Sequence, residues 1–258
     1  MPPRALRPSG LFLIDKSAGL SSFAVVASVR RRTGARTGHA GTLDPFATGL
    51  LLVLSGSSTK LVPWLVGLDK RYLTDIDLSA RSSTGDPEGE IFDQHEPPSP
   101  EELEQRLAGL RGEVELPVPA ASAVKIGGER AYRLHRRGIA VQMPLRRSRI
   151  DALDVIAYRD GIVTLDLRVG SGTYVRSIAD ALGGHCRTLR RTEVGPFRVE
   201  DTDPERLVAP VDALPFLPKI DVTAVDAADV RAGRRRFADA VRVVHEGELV
   251  AVDGTVLA

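Results

Sequence analysis

The stretch GHAGTLDPFATGLLLV, residues 38–53, places one carboxylate where it could do chemistry. Pro45 restricts the preceding residue to extended conformations, so it would hold Asp44 in one orientation. Three glycines within the stretch would allow a ligand to approach the backbone closely. A carboxylate held in this way could act as a nucleophile, as in retaining glycoside chemistry. The alternative interpretation is that Asp-Pro is a common turn dipeptide with no chemical role.

Three further residues could complete such a site. A carboxylate nucleophile must stay ionised when a substrate covers it, and a nearby cation would favour that state. Arg176 follows a small-residue turn at the start of a predicted helix and could supply the cation; otherwise it is a surface arginine. Tyr72 and Tyr174 lie beside basic residues, and they could stack on nucleobases or serve as half-buried core residues.

Several classes of site are excluded by the sequence. It contains no P-loop, no G-x-G-x-x-G, no H-E-x-x-H and no G-x-S-x-G motif. The five histidines show no metal-ligand spacing, and a single cysteine, Cys186, excludes intrachain disulfides and C-x-x-C metal sites. We therefore expect no cofactor and no metal. The longest apolar run, Leu50–Leu54, is too short to span a bilayer, and no signal peptide is recognised, which predicts a cytoplasmic protein without membrane contact.

Positive charge is concentrated in three segments. Residues 30–36, 119–149 and 187–198 carry net charges of +4, +7 and +3, whereas the whole chain carries only +1. This segregation is typical of a patch that binds a polyanion on an otherwise acidic body. The alternative is that each segment is merely a solvated face.

The elements that must position these residues follow from periodicity and capping. Most are predicted with clear bounds: strands over 11–15, 50–54, 71–80 and 187–200, helices over 22–32, 99–112, 129–137, 173–184 and 204–218, and hairpin turns at Asp160-Gly161 and Asp253-Gly254. Residues 34–49 are predicted as an irregular loop, and 57–65 as a helix start followed by an apolar turn. Without a regular βαβ alternation, this pattern favours an α+β fold over a doubly wound α/β fold.

The motifs, taken together, resemble one family. GHAGTLDPFATGLL (38–51) resembles the signature loop of the TruB family of tRNA pseudouridine synthases. Five other stretches resemble the same family in the same order: LFLIDKSAGLSS (11–22), DKRY (69–72), SAVKIGGERAYRLHRRG (122–138), SGTYVRSIADALG (171–183) and LRRTEVGPF (189–197). The resemblance covers roughly residues 10–200. It implies a pseudouridine-synthase fold, in which a mixed, largely antiparallel central sheet is flanked by helices. It also implies that the protein modifies uridine 55 in the T-loop of tRNA.

The resemblance also implies catalytic roles. Asp44 would be the nucleophile, and Arg176 would pair with it. Tyr72 would stack on the flipped uracil and could act as base. His39 would occupy the space that opens when the target nucleotide leaves the stack of the loop.

Other residues would bind the substrate or its backbone. The implied substrate-binding set adds Tyr174, Leu189, Lys16 and Lys125 to His39 and Tyr72. The implied RNA-backbone contacts are Arg130, Arg133, Arg136 and Arg137, all in residues 117–149, which match an RNA-clamping insertion.

The resemblance further implies a catalytic domain over residues 1–217 and a short, reduced PUA-like domain over 218–258. Its expected partner is the T-arm of tRNA, and it implies a monomer without a protein partner. Two alternatives stay open: a non-catalytic RNA-binding or RNA-folding module, and the same chemistry on another RNA.

Overall fold

The computed structural model describes residues 8–234, 237, 240–252 and 255–257. The α-helices are α1 (Ser22–Thr33), α2 (Val62–Val66), α3 (Pro100–Ala108), α4 (Ala131–Arg136), α5 (Val175–Ala181) and α6 (Ala224–Arg231). The strands of the first half are β1 (Gly10–Lys16), β2 (Thr37–Ala40), β3 (Thr48–Ser55), β4 (Lys70–Asp77), β5 (Arg81–Ser82), β6 (Ile91–Phe92), β7 (Gly112–Pro117), β8 (Lys125–Ile126) and β9 (Glu129–Arg130). The later strands are β10 (Leu145–Arg159), β11 (Ile162–Val169), β12 (His185–Val194), β13 (Phe197–Arg198), β14 (Lys219–Asp221), β15 (Arg242–His245), β16 (Glu248–Val252) and β17 (Thr255–Val256).

The chain divides into two compact units. The first comprises the residues up to Pro45, Gly49–Val66 and those from Gly195 onward; the second comprises Phe46–Thr48 and Gly67–Val194. Each contains both sheet and helix, and its described residues form none of the repeated βαβ units of a doubly wound fold. The predicted α+β class is therefore confirmed.

In the first unit, β3 pairs antiparallel with both β1 and β2. Its residues Leu50–Leu54 are completely buried, as the predicted apolar strand requires. Helix α1 packs on β2 and buries Val25, Val26 and Val29. The predicted helix boundaries are confirmed, because the Ser21 side chain caps the helix start and Gly34 ends it with a φ of 62°.

The C-terminal part of the first unit contains a separate four-stranded sheet in the order β14-β15-β16-β17. Strands β14 and β15 are parallel, and the other two pairings are antiparallel. Val230 of α6 and Val243 and Val250 of the sheet share one small buried cluster. Two short strands are found where HEGELVAVDGTVLA predicted them, whereas the predicted turn residues Asp253 and Gly254 lie outside the described residues.

The second unit contains five antiparallel strands in the order β12-β4-β11-β10-β7. The predicted turn between β10 and β11 is confirmed, since Asp160 and Gly161 both have positive φ, as a tight hairpin requires. Strand β4 buries every second residue, starting at Lys70, so that one of its faces belongs to the core.

Two sequence predictions are wrong. Residues 204–218 form no α-helix; instead Val208 exchanges two backbone hydrogen bonds with Leu11 of β1, of 2.8 and 2.9 Å, and only Pro210–Asp212 forms a short 3-10 helix. Prolines at 210, 215 and 218 lack the N–H that a continuous helix needs. The predicted irregular loop 34–49 contains β2, because Thr37–Ala40 finds backbone partners on β3.

Four predicted helices differ from the structure in their bounds. The predicted helix 173–184 is the shorter α5. Helix α3 begins with the predicted Ser99 capping box but ends at a Gly109 cap, and Gly112 opens β7 with a φ of 87°. The predicted helix 129–137 is the shorter α4, preceded by the β8–β9 hairpin. Residues 57–65 are predicted as a helix start followed by an apolar turn. Instead, Gly56–Leu61 forms a 3-10 helix, and the residues after it form the helix α2.

Candidate active site

The loop that carries Asp44 lies between β2 and β3, and its backbone is held on both sides of the carboxylate. On one side, the buried Ser22 hydroxyl accepts a 2.8 Å hydrogen bond from the Leu43 N–H and donates a 2.9 Å bond to the Leu43 carbonyl. On the other side, the Pro45 carbonyl accepts 2.8 Å and 3.1 Å bonds from the Gly19 N–H and the Lys16 ammonium. Asp44 itself is half-buried. The backbone of the loop is therefore fixed by hydrogen bonds on both sides of Asp44.

Lys16 stabilises this loop from within the protein. Its side chain is buried, and its ammonium donates hydrogen bonds to the carbonyls of Ser17, Leu20 and Pro45 at 3.1, 2.8 and 3.1 Å. The structure thus brings Lys16 and the Asp44 loop together. His39, another predicted site residue, is half-buried on β2 and pairs with Val53 of β3.

Removing the Ser22 hydroxyl should loosen the loop. Ser22→Ala would leave a buried N–H and a buried carbonyl of Leu43 without their partner, which costs about 1–3 kcal/mol for each unsatisfied group. We expect the free energy of unfolding to fall by about 2–3 kcal/mol, as measured by urea denaturation. Ser28→Ala, on an exposed position of the same helix, is the control. Equal stabilities of the two variants would contradict the role given to Ser22.

The inner face of β4 carries Tyr72 in the second unit. Tyr72 is only 8% exposed and lies between Leu167 of β11 and Arg191 of β12. Leu189 is 6% exposed, and it lies on the same face of β12 two residues before Arg191. Diagonal neighbours of this kind are about 7–8 Å apart, within reach of an aromatic ring. Tyr72 and Leu189 are therefore brought together, as a shared base pocket would require.

Two buried cations lie on the same face, and sequence reasoning missed both as site residues. Arg191 is 1% exposed and Lys70 is 6% exposed. Arg191 pairs with Tyr72 across the strands, and Lys70 precedes Tyr72 by two positions on β4. The only available signal was the strand alternation, which places residues 70, 72 and 74 on one face.

Burial, together with the positive charge of Arg191, lowers the pKa of Lys70 to about 8 from 10.5. Below about pH 8 this lysine is charged in both the folded and the unfolded chain, so its burial lowers the stability by an amount that does not change with pH. Between about pH 8 and 10.5 the unfolded chain binds more protons, so the contribution of Lys70 raises stability as the pH rises. Lys70→Met should remove this contribution. We expect the free energy of unfolding of the wild type, relative to that of the variant, to increase from about pH 8 to 10.5. Urea denaturation at several pH values measures it, and a difference between the two proteins that stays constant with pH would contradict the prediction.

Arg176 is buried, so its interpretation as a surface arginine is wrong. Its side chain is 2% exposed, and its guanidinium donates hydrogen bonds to the carbonyls of Thr84 and Ala121 at 2.7 and 3.1 Å. It lies 3.5 Å from the carboxylate of Asp86, which is 6% exposed. Sequence reasoning missed Asp86, which lies in the turn-rich stretch SSTGDPEGE. Because Asp44 belongs to the first unit and Arg176 to the second, their pairing stays a prediction.

Tyr174 lies at the start of α5, two residues before Arg176. It is half-buried and occupies the N-cap position of the helix. The turn before it contains Gly172, whose φ of +84° suits a residue without a side chain. The structure thus places two predicted site residues at the same helix terminus.

The predicted RNA-backbone residues lie on the β8–β9 hairpin and on and directly after α4. All four members of this set, Arg130, Arg133, Arg136 and Arg137, are exposed, and so is Lys125 of β8, a predicted substrate-binding residue. Arg133 and Arg136 both lie over the Tyr132 ring, 5.9 and 5.7 Å from its centre. Arg137 forms a 2.7 Å ion pair with Glu129, the only acid in this segment. The surface is strongly positive, which suits a phosphate backbone.

Within the described part of the chain, no cluster of three or more His, Cys, Asp or Glu side chains could hold a metal ion. Over the same residues, no helix is long and apolar enough to cross a membrane.

Comparison with known proteins gives one consistent family. The family model described as "TruB family pseudouridylate synthase (N terminal domain)" matches residues 30–175. A Mycobacterium protein (strain KMS) named tRNA pseudouridine synthase B is 39% identical over 96% of this chain and 91% of its own length. A Ruegeria protein (strain TM1040) of the same name is 42% identical over 83% of this chain and 72% of its own length.

A solved structure supports the fold. The structure titled "Crystal Structure of a Cbf5-Nop10-Gar1 Complex" contains a chain that is similar with a TM-score of 0.69 and 23% identity. The similarity covers 94% of this chain and 77% of that chain.

Proposed function

Because the chain belongs to the TruB family of pseudouridylate synthases, we propose that it converts uridine 55 in the T-loop of tRNA into pseudouridine. The observation that carries the proposal is the held loop around Asp44, which gives a half-buried carboxylate a fixed backbone. The names of the relatives at 39–42% identity support tRNA as the substrate. The basic segments support a polyanionic partner.

The reaction is an isomerisation, so its atoms balance without a second substrate. The bond between N1 of uracil and C1′ of the ribose breaks, the base rotates, and a bond forms between C5 and C1′. The proton on C5 leaves, and N1 gains one. This chemistry needs neither a redox partner nor a metal, in agreement with the residue types proposed for the site.

Each proposed catalytic group has a task in this scheme. The target nucleotide must leave the stack before its C1′ and C5 can be reached, which costs a few kcal/mol. Tyr72 would recover part of this cost by stacking, worth about 1–3 kcal/mol per base, and could remove the C5 proton. Asp44 would act as nucleophile, Arg176 would keep it ionised, and His39 would fill the space left by the nucleotide.

The remaining proposed residues hold the substrate. Tyr174 and Leu189 would line the uracil pocket, with Lys16 and Lys125 as further contacts. Lys16 would act mainly through the Asp44 loop, since its ammonium bonds to the Pro45 carbonyl. Arg130, Arg133, Arg136 and Arg137 would bind RNA phosphates, because they form an exposed cationic surface.

Tritium release tests the proposed function. A tRNA transcript containing uridine tritiated at C5 should release tritium when the protein is present under single-turnover conditions. A transcript with cytidine at position 55 should release none from that site. Tight binding without any release would favour a non-catalytic RNA-binding or RNA-folding module. Release that persists with cytidine at position 55 would favour another target for the same chemistry.

We also propose an organisation for the chain. Residues 1–217 would form the catalytic domain, including the clamp over 117–149, and residues 218–258 a reduced PUA-like domain. The separate buried cluster of the C-terminal sheet supports the second of these. The protein would act in the cytoplasm as a monomer without a protein partner. Sedimentation of the full chain tests the monomer.

A further inference from the structure

Three arginines at the start of β10 differ in their ion pairing. Arg147 pairs with Glu113, and Arg149 pairs with Asp69 and Asp151. Arg146 is exposed, and among the residues that the structure describes its guanidinium has no acidic partner. Within this trio, the side chain of Arg146 alone keeps its full positive charge available for a ligand.

The guanidinium of Arg146 also has a fixed place. It lies 6.0 Å from the centre of the Tyr174 ring, at the outer limit of a cation–π contact. It also lies beside Gly172, where a Cβ would come within 2.2 Å of Arg146 Nη2. The glycine therefore provides the space in which the guanidinium lies beside Tyr174.

An exposed arginine held by an aromatic ring and a glycine is prepared to bind an anion. The planar fork of guanidinium matches two oxygens of a phosphate, and stacking on a ring leaves its N–H groups directed outward. The contact with Tyr174 restricts the rotamers of Arg146, so less side-chain entropy would be lost on binding than for a fully solvated arginine.

We propose that Arg146 binds a phosphate that flanks the target uridine, and so fixes the backbone of the flipped nucleotide beside Tyr174. This inference rests on the proposed function, because it takes Tyr174 as part of the uracil pocket. It assigns to Arg146 a contact with one defined phosphate, in contrast to the diffuse cationic surface of the clamp.

Neutral linkages in the RNA provide the test. T-arm hairpins would be made with the natural phosphate, or with a methylphosphonate immediately 5′ or 3′ of the target uridine. For the wild type, one of the two neutral linkages should weaken binding about tenfold, the size of a lost charge-assisted hydrogen bond. Arg146→Gln should weaken binding of the natural hairpin by a similar factor. The same neutral linkage should then have little further effect on Arg146→Gln.

Arg147→Gln is the matched control, because Arg147 is exposed on the same strand but paired with Glu113. This variant should keep the full sensitivity to the neutral linkage. The slope of the logarithm of the binding constant against the logarithm of the salt concentration should decrease in Arg146→Gln by the amount expected for about one phosphate contact. In Arg147→Gln this slope should stay unchanged. Two results would overturn the inference. In the first, Arg146→Gln binds the natural hairpin as tightly as the wild type does. In the second, each neutral linkage weakens the binding of Arg146→Gln by the same factor as it weakens the binding of the wild type. Failure of the proposed function would appear separately, as absence of tritium release by the wild type.

Discussion

Asp44→Asn is expected to lower the single-turnover rate of tritium release by about 10⁴-fold or more, the scale seen when a nucleophile is removed. The amide has nearly the size of the carboxylate but carries no negative charge and is not nucleophilic. The backbone bonds that hold the loop end at Leu43 and Pro45, so the substitution should leave the loop in place. The loss should therefore fall on the chemical step and not on binding.

Two measurements keep this result interpretable. The dissociation constant of the variant for unmodified tRNA should stay within a few-fold of the wild-type value, and its urea-unfolding midpoint should be preserved. Asp15→Asn, which changes a carboxylate on strand β1, is the control for a general effect of charge removal. If Asp44→Asn released tritium as fast as the wild type, Asp44 would not be the essential residue.

Arg176→Met should lower the free energy of unfolding by about 3–5 kcal/mol, the cost of breaking a buried ion pair from one side. The methionine would fill much of the volume, but the buried carboxylate of Asp86 would lose its cation at 3.5 Å. The carbonyls of Thr84 and Ala121 would lose their donor as well. Activity should fall together with stability if Arg176 also keeps Asp44 ionised.

A double variant separates the ion pair from the loss of volume. Arg176→Met combined with Asp86→Asn removes both charges, so part of the lost stability should return. Arg187→Met, at an exposed position on β12, should have little effect on stability. A double variant that is less stable than Arg176→Met alone would show that Asp86 and Arg176 do not depend on each other.

Much of the fold could be predicted because local chemistry determines it. The caps at Ser21 and Gly34, the apolar strand Leu50–Leu54 and the Asp160-Gly161 turn each need only neighbouring residues. Strand β2 and the segment 204–218 could not be predicted in the same way. Their backbone partners are β3 and Leu11, which lie elsewhere in the chain.

The same division applies to the candidate site. Asp44, Tyr72 and Arg176 are noticed because their motifs are specific to one family. Asp86 and Arg191 carry no motif, and their importance comes from burial beside Arg176 and Tyr72. Composition and periodicity predict that charged residues lie on the surface, so buried cations and their partners become visible only in three dimensions.

Four hydrogen bonds that hold the Asp44 loop end on its backbone, at the Leu43 N–H and carbonyl and twice at the Pro45 carbonyl. These four bonds do not depend on the side chain of Asp44. The side chain at position 44 can therefore be changed while Ser22, Gly19 and Lys16 hold the backbone on either side of it. At position 44, the path of the backbone and the chemistry of the side chain are in this way encoded by different residues.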